Sequence, residues 1–205
     1  MQNWREDIAR YNPPANLIRP NGLEWEHNKR LIFDAGNEFH KFEILDISHP
    51  TMGIDRIEWD GQNYQVYPFP STIRRNYLTD VDADGAFLIR NSERSESDYT
   101  CDYVYVNYLL TAPYIGELYL SGLWTDNSDR DIYKMLYSQE QQSYYKTLFQ
   151  KQGYYSYQYL KADNTTPSTE GSFYQTQNRY QALVYYRNSG SRTWRLVGYR
   201  ALDFR

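Results

Sequence analysis

From Gly116 to Asp163 the chain reads GELYLSGLWTDNSDRDIYKMLYSQEQQSYYKTLFQKQGYYSYQYLKAD, and no other stretch limits the possible folds as much. Leu118 and Leu120 alternate with Tyr119, Ser143 to Phe149 is rich in aromatic and apolar side chains, and Tyr155, Tyr157 and Tyr159 alternate with Ser156, Gln158 and Leu160. A period of two belongs to a strand with one face buried. Gly116, the SGLWTDNSD segment, the polar Ser138 to Gln142 and Gly153 separate these runs with residues suited to turns. The stretch is therefore expected to be a β-meander within a sandwich.

The flanking sequence extends this all-β reading to two packed antiparallel β modules. Residues 1 to 22 hold Pro13, Pro14 and Pro20 among Asn12, Asn16, Asn21 and Gly22, the composition of an extended lead-in, with Trp4 its one bulky anchor. A first module is expected over residues 23–95. It holds LIF, then EFHKFEILD, then IDRIEW and NYQVYP joined by Asp60-Gly61, a pair that suits a type I′ hairpin turn. The charged NSERSESD, residues 91 to 98, breaks the periodicity and places the boundary. Residues 96–205 are read as the second module, a sandwich opening on the long strand from Tyr99 to Leu110, where Cys101 is expected to alternate into the core with Tyr103 and Tyr105. NTTPSTEGS is a polar loop, FYQTQNRYQALVYYR and TWRLVGY are the last two strands around NSGSR, and ALDFR is expected to leave the sheet.

Charge and motifs narrow the chemistry. A net charge of −4 argues against nucleic acid, whose phosphates need a basic face. Cys101 is the only cysteine, which excludes an intrachain disulfide. QNWRED after Met1 lacks the plan of a signal peptide, and no apolar run approaches the ~20 residues that span a bilayer. No Ser-His-Asp order, HExxH, CxxC, phosphate loop or dinucleotide fingerprint occurs, so the chain reads as non-enzymatic and without a cofactor. His40, between Phe39 and Phe42, is a lone histidine on an alternating strand and reads as structural, because metal sites need three or four converging ligands. DVDADG matches the front of a calcium loop, with Asp80, Asp82 and Asp84 as oxygen donors and Gly85 at the turn. The closing position holds Asn91 instead of a bidentate Glu, so an acidic linking loop is the expected role. Tyrosine alone contributes 23 residues, enough to ask for interfaces as well as core.

The order of strand, GxW-type loop, strand ending in Met-Leu-Tyr and aromatic strand resembles an early-set immunoglobulin-like module of the kind found beside carbohydrate-active enzymes. More closely, LIFDAGNEFHKFEI, PTMGIDRI, DVDADGAFLIRN, YVYVNYLL, KQGYYSYQYL and EGSFYQTQNRYQALVYYRNSGSRTWRLVGY resemble, in order, the later part of the plug-protein family of the Bacteroidetes type IX secretion system. They cover most of residues 17–200. The resemblance implies a non-catalytic interaction protein of the periplasm or cell envelope, whose partner is an outer-membrane translocon protein that it closes. Arg187, Arg192 or Arg195 would be a suitable anchor. The immunoglobulin-like resemblance implies a second function, glycan binding. There Trp124 with Tyr133 or Tyr137 would form a stacking platform, unless Trp124 packs over the end of the sandwich.

Overall fold

The computed structural model describes residues 15–24, 33–93 and 96–204. The chain divides into two compact units, Met1–Asp34 and Ala35–Arg205. In the first, β1 (Leu17–Arg19) and β2 (Gly22–Glu24) form an antiparallel hairpin around Pro20-Asn21, closed by an Arg19–Glu24 ion pair at 2.9 Å. The lead-in, expected to be extended and turn-rich with little regular structure, thus contains a short hairpin. Pro20 removes no ladder hydrogen bond because it sits in the turn. Trp4 and most of LIF lie outside the described residues.

The second unit is an all-β sandwich. Its strands are β3 (His40–Glu43), β4 (Ile54–Trp59), β5 (Tyr64–Pro68), β6 (Ser71–Thr72), β7 (Phe87–Ile89), β8 (Tyr103–Thr111), β9 (Leu118–Ser121), β10 (Leu136–Ser138), β11 (Ser143–Lys151), β12 (Gly153–Lys161), β13 (Asn178–Tyr186) and β14 (Arg195–Phe204). A single helical turn, Ser97–Thr100, precedes β8, and short 3-10 turns occupy Asn127–Tyr133. One sheet runs β10-β11-β8-β5-β4, with β6 also on β8, and the other is centred on β12, flanked by β3, β7 and β9. Val66, Val104, Val106, Tyr108, Leu110, Tyr144 and Leu148 from the first sheet meet Phe42, Leu118, Leu120, Tyr155, Tyr157 and Tyr159 from the second in one buried cluster. No helix among the described residues is long and apolar enough to cross a membrane.

The expected division near residues 91–98 is not where the chain divides. β3 and β7, from before that point, pair with β12, and β5 and β6 pair with β8 in parallel. Strands on either side of NSERSESD thus share both sheets, and the charged segment is only a surface connection. The phase of β8 also differs from expectation. Val104, Val106, Tyr108 and Leu110 face the core, whereas Tyr103 is 57% exposed and Cys101 is buried ahead of the strand. The Asp60-Gly61 hairpin exists with a different turn: four residues separate the strands, Asp60 Oδ1 accepts from the Gln62 and Asn63 N–H groups (2.8 and 2.7 Å), and only Gly61 has positive φ, +96°. This side-chain capping offers the carboxylate-bearing residue an alternative to the strained type I′ geometry. Ala201 to Phe204 continue β14 instead of leaving the sheet.

Candidate functional site

Alternation along β8 and β11 sends one set of side chains into the core and the other outward. On the outer face Tyr103 and Phe149 stack with centroids 5.2 Å apart, and Tyr105 lies 5.0 Å from Phe149. Phe149 is 58% exposed. Further across the sheet the Arg56 guanidinium sits 3.7 Å over the Tyr67 ring, held by Glu58 at 2.8 Å and Asp55 at 3.1 Å. Its hydrogen bond to Glu58 raises the pKa of Arg56. A polar ladder runs between the rings: Thr147 Oγ1 donates to Asn107 Oδ1 (2.6 Å), and Asn107 Nδ2 donates to Gln65 Oε1 (3.0 Å). A shallow groove crosses this face, lined by Arg56, Tyr67, Asn107, Leu109, Tyr145 and Thr147. Backbone pairing on a central strand fixes the side chains at sheet spacing, so the rings are held before any partner arrives.

A second cluster is buried and ionic. Glu170, 3% exposed, lies within 3.1–3.2 Å of His40 Nε2 and 3.5 Å of Arg74 Nη1, and it accepts the Tyr159 N–H at 2.9 Å. β3 begins at His40, opposite Tyr157, so the Glu170 carboxylate takes the ladder hydrogen bond that β12 offers just beyond that start. Burial alone would raise the Glu170 pKa, but the His40 and Arg74 charges and the backbone N–H outweigh it and hold the carboxyl below its ordinary range. Arg74 also donates to the Glu38 carbonyl, Tyr77 donates to Glu38 Oε1 at 2.6 Å, and His40 stacks on Tyr157 at 5.2 Å. With the Tyr159 N–H and His40 held by Glu170, and the Arg74 N–H donating to the Thr169 carbonyl, the geometry is that of a clasp fastening residues 164–176 to the sheet. His40, read from sequence as a lone histidine, is held by Glu170, a partner that reading missed. The only local signal is a carboxylate preceding Gly171 inside an otherwise uncharged loop.

The remaining sequence candidates serve packing. Trp124 is half-buried, its Nε1–H donates to the Ser156 carbonyl (2.9 Å), and its ring meets Tyr155 and Tyr133 edge-on. Tyr133 accepts the Asp126 N–H at 3.2 Å. Tyr137 belongs to a different group, with Tyr144 at 4.7 Å and Tyr114 at 5.1 Å. Of the two pairings expected, Trp124 with Tyr133 is brought together, edge-on at 5.9 Å, and Trp124 with Tyr137 is not. In the acidic loop, Asp80 pairs with Lys41 at 2.6 Å, and Asp82 accepts from the Phe39 and Asp84 N–H groups. Burial raises the Asp82 pKa. Asp84 adopts φ +51° at the turn, and the loop goes on to satisfy β12: Gly85 N donates to Ser156 Oγ and Ser156 N donates to the Ala86 carbonyl. Among the described residues no three His, Cys, Asp or Glu side chains converge in the manner of a metal site.

No family model and no curated protein matches the sequence. Among solved structures, the chain is similar to a hypothetical protein from Parabacteroides merdae, with 32% identity and a TM-score of 0.80 over 93% of this chain. The match covers 50% of that protein, so this chain spans about half its length.

Proposed function

We propose that the chain is a non-catalytic interaction module of the cell envelope that engages a protein partner through the outer face of the β10-β11-β8-β5-β4 sheet. The observation that carries this reading is the preorganised row of Tyr103, Tyr105 and Phe149 beside the Arg56–Tyr67 stack. Tyrosine and arginine dominate binding energy at interfaces, and rings already held on a rigid sheet lose little entropy on docking. The resemblance to type IX secretion plug proteins supplies the partner, an outer-membrane translocon protein, and the similar structure comes from a Bacteroidetes species. A photo-crosslinking residue at Phe149, in the native host, is expected to capture the translocon protein. Capture elsewhere on the surface but not at position 149, or none at all, would overturn the assignment.

A second reading rests on the polar ladder of Gln65, Asn107 and Thr147 between the rings, which offers both stacking and hydrogen bonding to a sugar. It transfers the glycan hypothesis from Trp124 to this face. Retention on a glycan gel that Tyr145→Ala and Asn107→Ala abolish, with melting unchanged, would favour it over the protein partner.

A further inference from the structure

The β13–β14 hairpin differs in charge from the rest of the molecule. Residues 178–204 carry five arginines, Arg179, Arg187, Arg192, Arg195 and Arg200, against a single acid, Asp203, and contain no lysine or glutamate, in a chain whose net charge is −4. Asp203 is already paired with Arg179 at 2.6 Å, near the base. Arg187, Arg192 and Arg195 therefore gather around the turn, where the Arg187 guanidinium lies 4.9 Å over the Trp194 ring. The same end exposes Tyr186, Leu196 and Val197. Val184 and Tyr199 are exposed as well, and because Tyr199 faces Leu183 across the pair, they occupy opposite faces of the ribbon.

We infer that this hairpin docks on the phosphate headgroups of an anionic lipid bilayer, turn end first. Charge complementarity selects a negative occupant, and arginine matches phosphate with two donors at once. It also counts against pairing with a second copy's hairpin, which carries the same charge. Apolar side chains on both faces suit an occupant that surrounds the ribbon, whereas a folded acidic protein covers one face. Tyrosine and tryptophan beside arginine are the residues that settle at the boundary between headgroups and acyl chains. The inference goes beyond the outer-face reading and does not depend on it.

Flotation of the full chain with vesicles tests it. Vesicles of phosphatidylethanolamine containing phosphatidylglycerol are expected to carry the protein at low ionic strength, and pure phosphatidylcholine vesicles are not. Replacing Arg187, Arg192 and Arg195 together by Gln is expected to lower partitioning on the order of a hundredfold, at roughly fivefold per charge, with the melting temperature unchanged. High salt should release the native protein, a readout that stands even if the triple variant fails to fold. Equal flotation with both lipids, salt-insensitive binding, or a folded triple variant that floats like the native chain would overturn the proposal. So would no flotation from a chain that is retained on an immobilised acidic protein or on RNA.

Discussion

Strand β12 and the β13–β14 hairpin are written in similar residues, tyrosines among aliphatic and polar side chains, yet one is largely enclosed and the other largely exposed. GYYSYQYLK is paired along both edges: β7, Ala86 and β9 follow one another on one side, and β3, the Glu170 carboxylate and the Thr165 carbonyl on the other. NRYQALVYY and RLVGYRALDF pair with each other and, among the described residues, with no third strand. The difference teaches that alternation fixes which side chains share a face, while burial depends on what distant segments bring to the edges and faces. It also shows how tyrosine tolerates burial. Tyr155 donates to the Lys151 carbonyl at 2.6 Å, Tyr159 to Ser71 Oγ at 3.0 Å, and Tyr108 to Gln150 Oε1 at 2.7 Å. Burial drives the Tyr108 and Tyr159 hydroxyls well above their ordinary pKa, so they remain neutral donors across the physiological range.

The largest expected contrast comes from removing a ring on each side. Tyr108 is fully buried between the sheets and touches Phe42, Tyr157 and Trp124. Tyr108→Ala should cost about 3 to 5 kcal/mol in urea denaturation, as expected for a core aromatic, whereas Tyr199→Ala in the hairpin should stay within about 0.5 kcal/mol. Comparable losses at the two sites would mean that the hairpin is part of the cooperative core and would end the comparison.

Next comes the clasp that completes the edge of β12. Glu170→Gln removes the charge facing His40 and Arg74 and weakens the bond to the Tyr159 N–H, at a cost of about 2 kcal/mol. Its pH signature is specific. Because the folded chain holds Glu170 below its ordinary value of 4.5, the unfolded chain binds a proton more readily. The stabilisation is therefore complete above pH 4.5 and fades as pH falls through the lowered folded value. Native protein should lose stability in that acid window more steeply than Glu170→Gln. Asp82, which burial raises, works in the opposite sense, so the difference between these two proteins isolates Glu170. Parallel acid profiles would remove Glu170 from the account.

Much of this architecture was legible in local pattern. The strands that became β8, β11, β12 and the last hairpin, the SGLWTDN loop and the all-β sandwich follow from periodicity and turn residues. What could not be read was partnership. β3 and β7 find β12 across more than sixty residues of chain, and local spacing carries no record of which distant strand supplies an edge, so the charged NSERSESD looked like a boundary. For the same reason Glu170 looked like one more polar loop residue, and Trp124, whose indole is fixed by the Ser156 carbonyl, could be read either as a stacking platform or as packing over the end of the sandwich. The outer face needed the phase of β8, and YVYVNYLL marks that phase weakly, because both alternating sets are apolar or aromatic apart from Asn107 in the outward one. Only the opposing sheet decides that the valines turn inward.

The finest test places one methyl group in each region. Gly153 opens β12 at φ +154°, and a Cβ there would lie 2.4 Å from the Leu88 carbonyl oxygen and 3.0 Å from Ile89 Cα, both backbone atoms of the paired β7. Neither can swing aside, so the strand pair itself must shift, and Gly153→Ala should cost about 1 to 3 kcal/mol. Gly198 lies in β14 opposite Val184, where the added Cβ would come 3.3 Å from the Val184 Cβ. Val184 is 57% exposed and can give by the few tenths of an ångström required. Replacing glycine also reduces the freedom of the unfolded chain, an effect worth about 0.4 to 1 kcal/mol in the stabilising direction where the backbone allows it. Gly198→Ala is therefore expected to leave the urea midpoint level or move it slightly upward, and a loss as large as that of Gly153→Ala would show that the hairpin is held as tightly on its faces as β12 is.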